Sequence, residues 1–134
     1  CTIVTTTFKT IFSGEGLIMQ RDIQIIKGEV FSLLINMQQK DENGNIQPFD
    51  ATGFGLRGQI RRSFKGVTSW DFTFNIINFS LGEIELIMGA DITETLPTGT
   101  LVYDVEIFDP NNPVIVHKIS FGNVNVMDEV TKEL

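Results

Sequence analysis

Cysteine, histidine, tryptophan and tyrosine each occur once in the 134 residues, and proline four times. With Cys1 alone, no intrachain disulfide and no multi-cysteine zinc site can form, so stability must come from packing or from neighbouring subunits. A Ser-His-Asp or Cys-His device needs a histidine within hydrogen-bond reach of its nucleophile. His117 is the only candidate, and it lies inside a predicted strand between Val116 and Lys118, as a surface or interface histidine does. Cys1 could reach it only if the start of the chain folded back, and no flanking pattern marks an activated thiol. Basic residues are also scarce: 10 Lys plus Arg against 17 Asp plus Glu give a net charge of −7, which opposes a phosphate backbone and excludes nucleic acid as the expected partner.

Long apolar runs are missing too. The fattest stretches, residues 30–35 and 84–88, have strand length, far short of the 18 or so residues a membrane helix needs, so a soluble chain with no membrane partner is expected. Residues 1–10 are Thr-rich and lack the apolar block of a signal peptide. Cys1 admits two readings: a residue exposed by removal of an initiator Met or of an upstream segment, or a lipidated first residue of a lipoprotein.

Other chemistry is equally thin. Asp71, Glu83, Glu85, Asp104 and Glu106 all occupy the polar phase of alternating segments, which describes a solvated sheet face better than a pair of glycosidase carboxylates. The oxygen-rich stretches at 41–45 and 109–112 do not carry EF-hand spacing and read as turns. Gly53-Phe54-Gly55 lacks the helix and lysine of a phosphate loop. The expectation is no enzyme, no catalytic residue, no metal and no cofactor.

What the sequence does have is alternation. At 42% hydrophobic and 20% charged residues, a chain of this length makes one core and buries roughly two-thirds of its unfolded surface. Phe31, Leu33, Ile35 and Met37 share one phase of a period of two; Phe54, Leu56, Gly58 and Ile60 share another, opposite Arg57, Gln59 and Arg61. Trp70, Phe72, Phe74 and Ile76 form the heaviest aromatic face, expected as one central strand whose tryptophan packs inward instead of offering a sugar-stacking platform. Ile84, Leu86 and Met88, then Leu101, Tyr103, Val105 and Ile107, repeat the pattern. Asn43-Gly44 and the 109–113 segment are turns, residues 114–119 and 121–126 are the final strands, and Gly122 marks a bulge or a corner. Residues 90–96 leave room for one short helical turn before Pro97. The architecture expected is an all-β, antiparallel sandwich of about seven to nine strands with at most one helical turn near 90–96.

Residues 1–16 differ in texture. Val4, Phe8 and Phe12 fall on one strand face and Ser13-Gly14-Glu15-Gly16 follows as a break, so this segment is either an arm that adds to a neighbour's sheet or an edge strand of the domain formed by 17–134. Arg57, Arg61, Arg62 and Lys65 form the basic cluster, with Arg57 and Arg61 on one sheet face; this is either a place for an acidic neighbour or an outer face balanced by nearby carboxylates. Val4, Phe8, Phe12, Arg57 and Arg61 are therefore the candidate interface residues.

Several local patterns also line up in order. Residues 25–31 (Ile-Ile-Lys-Gly-Glu-Val-Phe), 48–54 leading into Leu56-Arg57-Gly58-Gln59-Ile60-Arg61, Leu96-Pro97-Thr98-Gly99 before Val102-Tyr103-Asp104-Val105-Glu106-Ile107, and Gly122-Asn123-Val124-Asn125-Val126 before Glu129-Val130-Thr131 resemble the succession of elements in small tailed-bacteriophage virion domains. Ala51 and Phe54 depart from the usual Leu and Tyr, and the Thr-rich start lies outside the shared pattern. The resemblance implies an immunoglobulin-like sandwich acting as a structural or assembly component of a phage particle, in tail, baseplate, neck or capsid-associated position. The same resemblance implies a protein made in the host cytoplasm and located in the virion, with other virion proteins and copies of itself, as a homo-oligomer, for expected partners. The alternative is a carbohydrate- or receptor-binding β-sandwich module.

Overall fold

A computed structural model describes residues 4–12, 19–40, 43–63 and 65–128; the side chains of 4–12, 19, 40 and 113–115 are outside the description. The alternating segments become strands of two stacked sheets. One sheet contains β1 (Val4–Phe12), β4 (Phe31–Lys40), β5 (Ile46–Pro48), β8 (Thr73–Asn78) and β9 (Glu83–Met88). The other contains β2 (Met19–Gln20), β3 (Ile23–Ile26), β6 (Gly55–Arg61), β7 (Ser69–Asp71), β10 (Gly99–Asp109) and β11 (Asn112–Met127). Their orders, β1-β4-β9-β8 and β11-β10-β6-β7, are the A-B-E-D and G-F-C-C′ orders of an immunoglobulin sandwich.

The core lies between the sheets and uses the inward phases expected of them. Leu33, Ile35 and Met37, Ile84, Leu86 and Met88, and Leu101, Tyr103, Val105 and Ile107 are all buried. Eleven strands replace the expected seven to nine because the described residues include edge pieces of two to four residues, too short to show a period. The sandwich is also less uniformly antiparallel than expected: β1 runs parallel to β4, and β2 and β3 run parallel to β11. The short helical turn forms at Ala90–Thr93, and a 3-10 turn at Phe79–Leu81 joins it. Buried Thr93 anchors the former: its Oγ1 accepts from Gly28 N at 3.1 Å and donates to the Glu29 carbonyl at 2.8 Å.

Two local expectations change. The Trp70–Ile76 alternation is not one central strand. The chain switches sheets at Phe72, which is buried and whose N–H donates to Gly58 O at 3.0 Å, so β7 and β8 become edge strands of opposite sheets. Phase survives the switch, since Trp70 and Phe74 pack against the core, but Ile76 at the edge stays 55% exposed. The final segment is one strand, β11, whose pairing with β10 shifts register twice, at Ile119 between the pairs Val105–Ser120 and Glu106–Lys118 and again between Phe108–Val116 and Asp109–Asn112. Gly122 serves instead as a close approach: a Cβ there would meet Arg21 O at 2.5 Å.

Candidate interaction face

The strand register lays out the outer face of the six-stranded sheet. β6 and β10 pair antiparallel, setting Arg57 opposite Glu106, Gln59 opposite Asp104 and Arg61 opposite Val102. On the far side of β10, Phe121 faces Asp104 and Lys118 faces Glu106, while Asp71 on β7 faces Gln59. Alternation points these side chains away from the core because their neighbours Ile60, Tyr103 and Val105 fill it.

The side chains then find one another. Arg57 is paired with Glu106 and lies 4.7 Å over the Phe108 ring, and Lys118 stands 3.6 Å from Asp104 and 5.9 Å over Phe121. Gln59 donates to Asp71 at 2.8 Å and accepts from Arg61 at 2.7 Å. Arg57, Gly58, Gln59, Arg61, Val102, Asp104 and Glu106 border a groove of about 390 Å³. Tyr103 also lines it. Burial pushes the phenol of Tyr103, which belongs to the core, up to about 12, with the Ser120 hydrogen bond pulling the other way.

Of the candidate interface residues, Arg57 and Arg61 thus share one face, as their spacing indicates. Val4, Phe8 and Phe12 lie on β1 of the opposite sheet, at register positions beside Phe31, Ile35 and Gln39, and their side chains are outside the description. The structure does not bring the two groups together. Sequence reasoning missed Lys118, Phe108 and Phe121 as members of the face; their signal was the same odd-even phase, but only the β10–β11 register places them there. His117 is half-buried with its ring 6.4 Å from that of Phe54, and Trp70 packs against the core. Among the described residues no three His, Cys, Asp or Glu side chains gather as a metal would require, and no helix is long and apolar enough to cross a membrane.

No family model matches the chain, and no curated protein does. Solved structures do. The N-terminal domain of phage TP901-1 ORF48 is 8% identical, over 91% of this chain and 98% of that one, with a TM-score of 0.53. The two share a fold. PbICP-C, solved in complex with falcipain-2, gives 9% identity, 91% and 99% coverage and a TM-score of 0.45. The Listeria monocytogenes internalin-like protein lmo2027 gives 15%, 91% and 30%, and 0.38.

Proposed function

We propose that this protein is a non-enzymatic structural or assembly component of a bacteriophage particle, working through protein–protein contacts in a symmetric assembly. The observation that carries the reading is the fold shared with a phage domain from end to end: 91% of this chain aligns with 98% of that domain. The ordered motifs of the sequence support it, because they fall on successive elements: residues 25–31 span the turn from β3 to β4, residues 56–61 are β6, 102–107 lie in β10 and 122–126 in β11. The outer face of the six-stranded sheet adds a physical reason. Arg57, Gln59, Arg61, Asp104 and Glu106 line a groove there, of a kind that suits contact with another protein's surface.

Mass spectrometry of purified particles from a phage that encodes this protein tests the reading. A constant copy number per particle is expected, and cryo-EM of the same particles then places it. Absence from intact particles made by cells that express it would overturn the proposal, and selective glycan binding lost in an Arg61→Ala variant that still folds would favour the receptor-binding alternative.

A further inference from the structure

The carboxylates of this chain avoid one stretch. Residues 51–70 hold four of the ten Lys and Arg and none of the 17 Asp and Glu, so a chain of net charge −7 contains a local charge of +4 and carries −11 over the rest. No other run in the sequence is as long without an acid. Folding gathers this charge at one place. β6 and β7 pair at the edge of the six-stranded sheet and their ladder ends at Arg61–Ser69, so the connection that follows Arg61 forms the tip of a hairpin. Gly66 N donates to Ser63 O at 2.9 Å and keeps that tip compact. Arg62 and Lys65 are exposed on it, and Arg61 is half-buried at its base. The ion pairs of the sheet use other cations, Arg57 with Glu106 and Lys118 with Asp104. Among the described residues no carboxylate pairs with Arg61, Arg62 or Lys65, and the Arg61 guanidinium donates to the neutral Gln59 Oε1 at 2.7 Å.

We propose that the β6–β7 tip docks a short carboxylate-rich segment of another protein, held by Arg61, Arg62 and Lys65. Charge complementarity selects the occupant. Guanidinium forks take carboxylates in bidentate pairs, and these three cations have no internal ion pair to give up when an acid arrives. A long polyanion such as nucleic acid would run off the patch onto the acidic remainder of the chain, whereas a few Asp and Glu end within it. Val67, fully exposed on the same tip, adds apolar area that a protein segment covers and a bare anion does not. Repulsion between two acidic bodies fades beyond about 8 Å at physiological salt, while the contact itself is made at hydrogen-bonding distance. The inference deepens the assembly reading by naming the chemistry of one neighbour, and rests on it for its purpose. The two fail separately, because binding is measured on the isolated chain and membership of a particle is not.

Fluorescence anisotropy with labelled hexaglutamate tests it, with hexaglutamine and a six-nucleotide oligothymidine as comparison probes. Saturable binding of hexaglutamate is expected, weakening as salt is raised, with hexaglutamine at least about tenfold weaker. Reversing both exposed cations, Arg62→Glu with Lys65→Glu, is expected to weaken hexaglutamate binding by at least about tenfold. Lys9→Glu with Lys40→Glu changes the net charge equally on the other sheet and should cost less than about threefold, because that charge is screened at the tip. Amide shifts on titration should move at Arg61, Arg62, Lys65 and Ser69, a readout that general charge effects would not confine there. If the double reversal loses its cooperative thermal transition, Arg62→Gln with Lys65→Gln takes its place. Absence of saturable hexaglutamate binding, equal losses in the two double variants, shifts centred elsewhere, or tighter binding of oligothymidine would overturn the proposal. Self-association of wild type abolished by Arg62→Glu with Lys65→Glu would also overturn it, by giving the tip to a second copy.

Discussion

Tyr103 is the one tyrosine, and replacing it with Phe isolates a single buried polar knot. Its hydroxyl has one proton, and the Arg21 carbonyl can only accept, so Tyr103 Oη donates to Arg21 O and accepts from Ser120 Oγ at 2.8 Å. These bonds tie the β2–β3 connection, β10 and β11 together. Tyr103→Phe preserves the ring's edge contact with Phe72, at 6.4 Å between centroids, and strands the nearly fully buried Ser120 hydroxyl without its acceptor. The Arg21 carbonyl sits on an exposed residue and recovers some hydration, so the cost is about 2 kcal/mol, or roughly 7 °C in Tm for a chain of this size. Urea denaturation measures it. Ser120→Ala alone removes only a donor and should cost less, and the double variant should cost less than Tyr103→Phe, because it takes away the stranded hydroxyl along with its acceptor. The phenol supplies a second, independent readout. Its pKa is raised from an ordinary 10.0 to about 12, chiefly by burial. The unfolded chain therefore ionises first, so the stabilisation is whole below pH 10, declines above it, and by pH 12 has fallen by roughly 2–3 kcal/mol. Tyrosinate absorbance follows this group alone, and Tyr103→Phe should lack this part of the alkaline loss of stability. A Tyr103→Phe chain as stable as wild type, additive losses in the double variant, or a phenol that titrates near 10 would refute the reasoning.

Three other substitutions probe different parts of the sandwich. Gly82 has φ +73, and a Cβ there would press on Met37 O at 2.5 Å and Phe49 O at 2.7 Å, so Gly82→Ala should cost about 2–4 kcal/mol in urea denaturation. Thr93→Val keeps the shape but leaves Gly28 N–H and the Glu29 carbonyl without their shared hydroxyl; a loss of about 1–3 kcal/mol is expected, with faster amide exchange at Gly28. Glu106→Gln removes the partner of Arg57 on a face where that arginine is 54% exposed, so stability should change by less than about 1 kcal/mol, and less still as salt is raised in the same denaturation assay.

The inward faces of β6, β9 and β10 were legible because each is long enough to repeat a period of two several times and is buried on one side only. Register was not. Nothing local to Arg57 announces Glu106, 49 residues away, and nothing local to Asp104 announces Phe121, so two of the five candidate interface residues could be placed on a common face while their partners could not. The sheet switch at Phe72 escaped for a related reason. An inward side chain is equally inward whichever sheet its backbone joins, and the alternation from Trp70 to Ile76 passes through the switch unbroken. The pieces β2, β3 and β5 are shorter than the pattern that would reveal them, and the parallel direction of β1 beside β4 depends on path, which the period does not encode.

On the outer face of the six-stranded sheet the charges are already satisfied within the chain: Arg57 by Glu106 and Phe108, Lys118 by Asp104 and Phe121. A partner docking there must exchange these contacts for its own, so the net gain is small and the approach is governed by electrostatics that fade beyond about 8 Å at physiological salt. Raising salt should therefore loosen contacts made through Arg57 and Arg61.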